Sequence, residues 1–260
     1  MNVEHLIRII EEIAPPHLAE SWDNSGIQLY SGRKDIHSAL ICLEITAEVV
    51  EEAKKKKAEM IISHHPLLFN PPKSIDVRDP IGYYVTELIK ADIAVYSAHL
   101  SFDHAPAGNN YYLAKLLGLS NIRMSMNNPE NIPGVIGELV GPHSLQALCQ
   151  QVEEALQIPK TSLRIVGDLK QEVNKVGICT GAGGAYLTVA LRENCDLFIT
   201  GELKFHEAQE GRAKGIAIID GGHYGTEKSF TENFARQLHQ RVDSDFHIIE
   251  STERTNPYEE

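Results

Sequence analysis

The chain has 260 residues, enough for one large domain or two modest ones, each able to bury a core. Its 24 Lys+Arg against 36 Asp+Glu leave a formal net charge of -12, which opposes a surface built for nucleic acid or for anionic membrane, while a local positive cleft stays compatible with it. At 42% hydrophobic and 23% charged the composition is that of a soluble globular protein, and no apolar stretch approaches membrane-spanning length.

Met1 to Ala14 carries Glu4, Arg8, Glu11 and Glu12 and does not resemble a signal peptide. Cys42, Cys149, Cys179 and Cys195 lie far apart in apolar segments without C-x-x-C spacing, so they read as buried thiols of a reducing, cytoplasmic setting.

Val3, Leu6, Ile7, Ile10 and Ile13 recur at helical spacing and stop before Pro15-Pro16, which predicts an amphipathic first helix. Strand-like runs at Ala39 to Leu43, Met60 to Ile62 and Ile93 to Tyr96 then alternate with helical segments at Ala47 to Lys57, Pro80 to Lys90 and Asn109 to Leu117, the last closed by Gly118. Asn127 to Gly134 is rich in turn formers and is the best linker, so two domains are expected, 1–127 and 128–260. Beyond it come a helix marked by Leu145, Leu148, Cys149, Val152 and Leu156, strands at Val176 to Cys179, Leu197 to Ile199 and Ile216 to Ile219, and a final helix lined by Phe230, Phe234 and Leu238. This alternation predicts an α/β protein of two similar halves, each a mixed or parallel sheet covered by helices.

Three polar clusters come directly after strands, where open α/β sheets bind ligands. His64 and His65 end the run Met60-Ile61-Ile62-Ser63-His64-His65-Pro66; Pro66 biases His65 toward an extended backbone, so that neighbouring imidazoles fan out and address different metal ions. In Ala98-His99-Leu100-Ser101-Phe102-Asp103, Asp103 supplies a carboxylate and His99 is either a further ligand or a group orienting one. In Asp220-Gly221-Gly222-His223-Tyr224-Gly225-Thr226-Glu227, His223 and Glu227 share one face if the stretch enters the final helix, and a carboxylate there can bridge two cations. Two divalent cations against two carboxylates and a hydroxide leave a net positive centre, suited to an anionic substrate and to acidifying water. No cysteine is present in these clusters, which disfavours a closed structural zinc site, and the N/O donors suit Zn, Mn, Fe or Co equally.

Other segments carry weaker signals. Thr180-Gly181-Ala182-Gly183-Gly184-Ala185 is balanced between an anion-cradling nest and a tight strand-to-helix turn. Glu202 and His206, four apart, are candidates for proton handling or for supporting a ligand, although site walls or helix caps are the commoner use of such a pair. Direct ligation by His99 is outweighed by a supporting role, and Trp22-Asp23-Asn24-Ser25-Gly26 gives a turn and no chemistry. Lys54 to Lys57 spread around a helix end and complement its dipole rather than making a nucleic-acid patch; His5, His17, His37, His143, His239 and His247 have no partners at ligand spacing.

Taken in order, WDNSG, ISHHP, H-x-x-x-D, GAGG, TGE-x-x-x-H and GGHYGTE make the chain resemble, over nearly its whole length, the GTP cyclohydrolase I type 2 homologue family of Ngg-interacting-factor-like proteins. The resemblance implies two similar α/β domains with a dinuclear metal centre in the cleft between them, and a toroidal homohexamer. It places the ligands on His64, His65, Asp103, His223 and Glu227, with Glu227 bridging. The chain matches the short form, without the inserted middle domain of longer relatives. Two positions depart from the pattern: Glu44 stands where aspartate is common, and His104 where a small residue comes after the ligand aspartate. The expected function is metal-dependent hydrolysis of a small anionic, nucleotide-like substrate, GTP ring opening or phosphoester cleavage. The alternative is a non-enzymatic metal-binding or partner-binding ring.

Overall fold

In the computed structural model, which describes residues 1–159 and 162–258, the elements run in chain order as α1 (Val3–Ile13), β1 (Gly26–Leu29), β2 (Ser38–Cys42), α2 (Ala47–Lys55), β3 (Met60–Ser63), α3 (Pro80–Lys90) and β4 (Ala94–Ser97). A short α4 (Leu100–Asp103), α5 (Asn109–Leu116), β5 (Ser120–Arg123), β6 (Val135–Ser144), α6 (Leu145–Leu156), β7 (Arg164–Val166), β8 (Glu172–Cys179) and α7 (Leu187–Arg192) come next. The chain continues with β9 (Leu197–Thr200), α8 (Phe205–Lys214), β10 (Ala217–Asp220), α9 (His223–Glu227), α10 (Phe230–His239) and β11 (His247–Glu250). Among the described residues no helix is long and apolar enough to cross a membrane.

Two compact units result: Met1–Ala105 with Phe230–Glu260, and Pro106–Ser229. This division differs from the expected 1–127 and 128–260, for two reasons visible in the pairing. β5 pairs antiparallel with β6, and α5 packs on β6 and β8, so the residues on both sides of the polar linker belong to one unit. The C-terminal β11 pairs in parallel with β2, returning the end of the chain to the first unit.

The first unit holds a five-stranded sheet in the order β1-β4-β3-β2-β11, parallel except for β1 against β4. β2, β3 and β4 are buried along their whole length, as parallel strands covered on both faces must be. Leu40, Cys42, Ile61 and Val95 pack with Val49, Val50 and Ala53 of α2 and Val85 and Leu88 of α3. α10 packs on β2, β11 and α1, contributing the buried Phe230 and Phe234. Helix ends are built locally: the Asn2 side chain accepts from the amides of Glu4 and His5, and Thr46 from that of Val49. Two lysines of the run at the end of α2 are ion-paired, Lys54 with Glu51 and Glu87 and Lys56 with Glu52.

The second unit holds a six-stranded sheet in the order β5-β6-β8-β9-β10-β7, parallel over β8, β9 and β10 and antiparallel elsewhere. One face is covered by apolar residues of α5 and α6, among them Leu113, Leu148, Val152 and Leu156. The other packs Tyr186, Leu187, Val189 and Ala190 against Cys179, Phe198 and Ile218. The α/β class with two mixed, helix-covered sheets is thus the observed one.

Candidate functional site

In the first unit the candidate ligands stand where β2, β3 and β4 end together. β2 and β3 pair in parallel with Cys42 opposite Ser63, and β3 and β4 with Ser63 opposite Ser97. The ladder runs on past the strands, His64 N donating to Cys42 O at 3.1 Å and His65 N to Leu43 O at 3.0 Å. Continuing that register sets Glu44, His65 and His99 side by side on three neighbouring strand ends, with His64 beside Ala98.

The side chains use this placement. His65 Nδ1 lies 2.8 Å from Glu44 Oε2, and His64 Nδ1 2.8 Å from the carbonyl oxygen of Ala98. His99 Nδ1 lies 2.7 Å from Asp23 Oδ1. Carboxylate and carbonyl oxygens only accept, so in each ring Nδ1 carries the proton and Nε2 keeps its lone pair, the arrangement that fixes tautomer and orientation in metal-binding histidines. His64 Nε2 is 3.7 Å from Asp103 Oδ2 on α4, and ring nitrogens of His64, His65 and His99 lie within 4.8 Å of one another. Ligand atoms on one ion with bonds of about 2.1 Å are about 3 to 3.5 Å apart, so small adjustments bring this set into range.

Asp23 is the anchor of the group. Its side chain is fully buried and accepts from His99, from Ser25 Oγ at 2.6 Å and from the Leu100 amide at 3.3 Å. Burial pulls its carboxyl group up, but the hydrogen bonds from His99 and Ser25 and the nearby imidazole outweigh this and hold it below the usual aspartate value. Asp103 is 6% exposed and His104 4%. Burial lowers His104 below the usual histidine value, against the pull of Asp103, Glu20 and Asp23.

In the second unit β9 and β10 are parallel neighbours with Thr200 opposite Asp220. His223 and Glu227 occupy the separate short helix α9, ahead of α10, rather than the start of the final helix. They still share a face, with His223 Nε2 2.9 Å from Glu227 Oε2. His223 Nδ1 lies 3.1 Å from Glu202 Oε1, from the segment after β9, so the same Nδ1-held pattern recurs. Glu202 therefore serves His223 and not His206, which is exposed on α8 and joins no metal-sized cluster among the described residues.

The glycine-rich loop makes room for Glu227. Gly181 sits at φ +62°, where a Cβ atom would land on Glu227 Oε1 and come within 3.4 Å of His223 Nε2. The loop is tied to α9 through Thr226, whose hydroxyl accepts from Gly181 N at 3.0 Å and reaches the carbonyl oxygen of Gly222 at 3.0 Å. Glu227 itself is 3% exposed. Buried carboxylates such as Glu227 and Asp103 are costly unless a cation or strong donors compensate them, and each faces an imidazole Nε2. The donor chemistry in both units fits a divalent metal.

Two residues of the site carry little signal in the sequence. Asp23 shows there only as part of a polar turn, and Glu44 only as a departure from a family pattern. The signal for Glu44 is register, since two parallel in-register strands ending together place equivalent positions side by side. Asp23 approaches from the loop before β1, and no local pattern couples it to His99.

Two mixed α/β units carrying imidazole and carboxylate clusters at strand ends define the class of candidate metal-binding α/β proteins. Within that class, the model of the Duf34/NIF3 (NGG1p interacting factor 3) family matches residues 1–257, and the chain belongs to this family. It is 33% identical over 262 residues to a GTP cyclohydrolase 1 type 2 homolog of Clostridium perfringens, covering 100% of this chain and 99% of the relative. It is 32% identical to Protein NIF3 homolog of Schizosaccharomyces pombe, covering 93% of this chain and 89% of the relative. The crystal structure of a Bacillus cereus protein related to NIF3 superposes with a TM-score of 0.90 at 26% identity, covering 99% of this chain and 98% of that one.

Proposed function

We propose that this chain binds two divalent metal ions through His64, His65, Asp103, His223 and Glu227, and acts as a metal-dependent hydrolase of a small anionic substrate. The carrying observation is the recurrence, in each unit separately, of imidazoles whose Nδ1 is held by an oxygen acceptor while Nε2 faces a buried carboxylate. Metals bound there would supply Lewis acidity, polarising an electrophilic carbon or phosphorus and acidifying water.

The chain's own residues prepare that chemistry. Glu44 and Glu202 fix the rings of His65 and His223, and the Ala98 carbonyl fixes that of His64. Asp23 fixes His99, which lies beside the other two imidazoles and is placed to exchange a proton with a substrate oxygen or nitrogen through Nε2. GTP is the first substrate to try, because similar proteins carry the name GTP cyclohydrolase 1 type 2 homolog.

The test is metal content of the purified protein, and then turnover of GTP and phosphoesters beside His65→Ala and Glu227→Ala. Two ions per chain and turnover lost in both variants are expected; turnover indifferent to both changes would sink the hydrolase reading, and absence of metal in every preparation would sink the metal reading. The toroidal homohexamer implied by the family resemblance belongs to the same proposal, with sedimentation of the intact protein as its check. A cytoplasmic setting also belongs to it, supported by four buried cysteines that form no disulfide among the described residues.

A further inference from the structure

Trp22 is the chain's single tryptophan and is 64% exposed; Phe69, four residues after His65, is 46% exposed. Their rings stand edge to face, centroids 6.3 Å apart at 77°, and Phe69 meets the His99 ring at 6.0 Å and 86°. Two large rings left in water beside an imidazole cluster would be unremarkable on a loose loop, but these loops are pinned. Asn24 Nδ2 donates to Leu68 O at 2.7 Å, the Leu68 amide donates to Gln28 Oε1 at 3.1 Å, and Gln28 Nε2 donates back to Asn24 O at 2.7 Å. On its inner side the same turn carries Asp23, which holds His99.

We propose that Trp22 and Phe69 form an aromatic corner that stacks on a planar ring of the substrate and delivers the rest of it to the imidazoles, so that the preferred substrates are ring-bearing, nucleoside-like anions. The inference rests on the function proposed above and narrows its substrate class. A flat heterocycle is the ligand that edge-to-face rings accommodate, because stacking uses the π face of any base without demanding a hydrogen-bond pattern. An acyclic or purely sugar-phosphate substrate would leave both rings in water.

Trp22 is also the reporter. Guanosine, adenosine and ribose 5-phosphate are titrated into the intact protein, with and without added metal, while tryptophan emission is recorded, and metal content is measured on the same samples. Saturable quenching by both nucleosides, with none by ribose 5-phosphate, is expected. Phe69→Ala should weaken guanosine binding about tenfold by fluorescence, and Trp22→Ala equally by equilibrium dialysis, with Trp22→Phe recovering most of the loss; about tenfold is what loss of one stacked ring costs. Metal content stays unchanged in all three variants. Metal-loaded protein whose emission ignores both nucleosides overturns the inference while leaving the metal reading intact. Quenching in protein that never takes up metal does the reverse. Equal binding of ribose 5-phosphate also overturns it, as does an altered sedimentation coefficient in Trp22→Ala with unchanged nucleoside binding, which would make the corner a subunit contact.

Discussion

The metal-type residues of the two units are held in opposite ways. In the first, His64, His65 and His99 sit on the ends of adjacent buried strands and are fixed by acceptors from three other segments, Glu44, Ala98 and Asp23. In the second, His223 and Glu227 ride on a helix of one turn, their partner Glu202 is exposed, and the close packing comes from a glycine loop pressed against the carboxylate. The first cluster is organised by sheet register and the second by absence of a side chain. Preorganisation by register resists single conservative changes, whereas preorganisation by a glycine fails at once when a methyl group is added.

The largest expected effect breaks the second arrangement. Gly181→Ala should displace Glu227 and lower metal affinity by about 100-fold, the upper end of what disturbing a ligand's surroundings costs, measured by competition with a chromophoric chelator. Next come the groups that only orient ligands: Glu44→Gln and Glu202→Gln are each expected to cost about tenfold in the same assay. The Glu44 change should cost less than removal of His65, because the strand-end backbone of His65 stays in place. Equal losses for Gly181→Ala and Glu44→Gln would erase the contrast between the units.

Smaller still are effects on the scaffolds. Glu193 in the second unit is held at a pKa of about 2 by Arg123 and Ser125, against burial and with help from Asn127 and Lys175. Glu52 in the first is also at about 2, burial being outweighed by hydrogen bonds from Lys56, Ser251 and Thr252. Both lie below the usual glutamate value of 4.5, so their stabilisation is complete above about pH 4.5 and is lost as pH falls through about 2. Acid titration of thermal stability should show this loss, at most about 3 kcal/mol per group. Glu193→Gln and Glu52→Gln should each flatten part of the curve. An unchanged acid limb in both would show that these carboxylates do not couple folding to protons.

Much of the fold is legible in the sequence because buried strands and amphipathic helices announce themselves by period. β2, β3, β4, β9, β10, α1, α2, α3 and α6 fall within a residue or two of the apolar runs that predict them. The short strands β1, β5, β7 and β11 are not legible, since they are largely unburied and lie at sheet edges, each pairing with one neighbour. The same limit explains the domain division. Asn127 to Gly134 looks like a linker, yet its flanks β5 and β6 are one antiparallel pair.

The sequence by itself determined the α/β class and the family, and it marked His64, His65, Asp103, His223 and Glu227, because ligand residue types after strand ends in a fixed order are local, countable signals. Only the tertiary structure decided which nitrogen each histidine presents, that Glu44, Asp23 and Glu202 are the acceptors that decide it, and that Gly181 is where Glu227 fits. Those outcomes depend on the register between strands and on the approach of segments distant in the chain, which no local pattern of residues encodes.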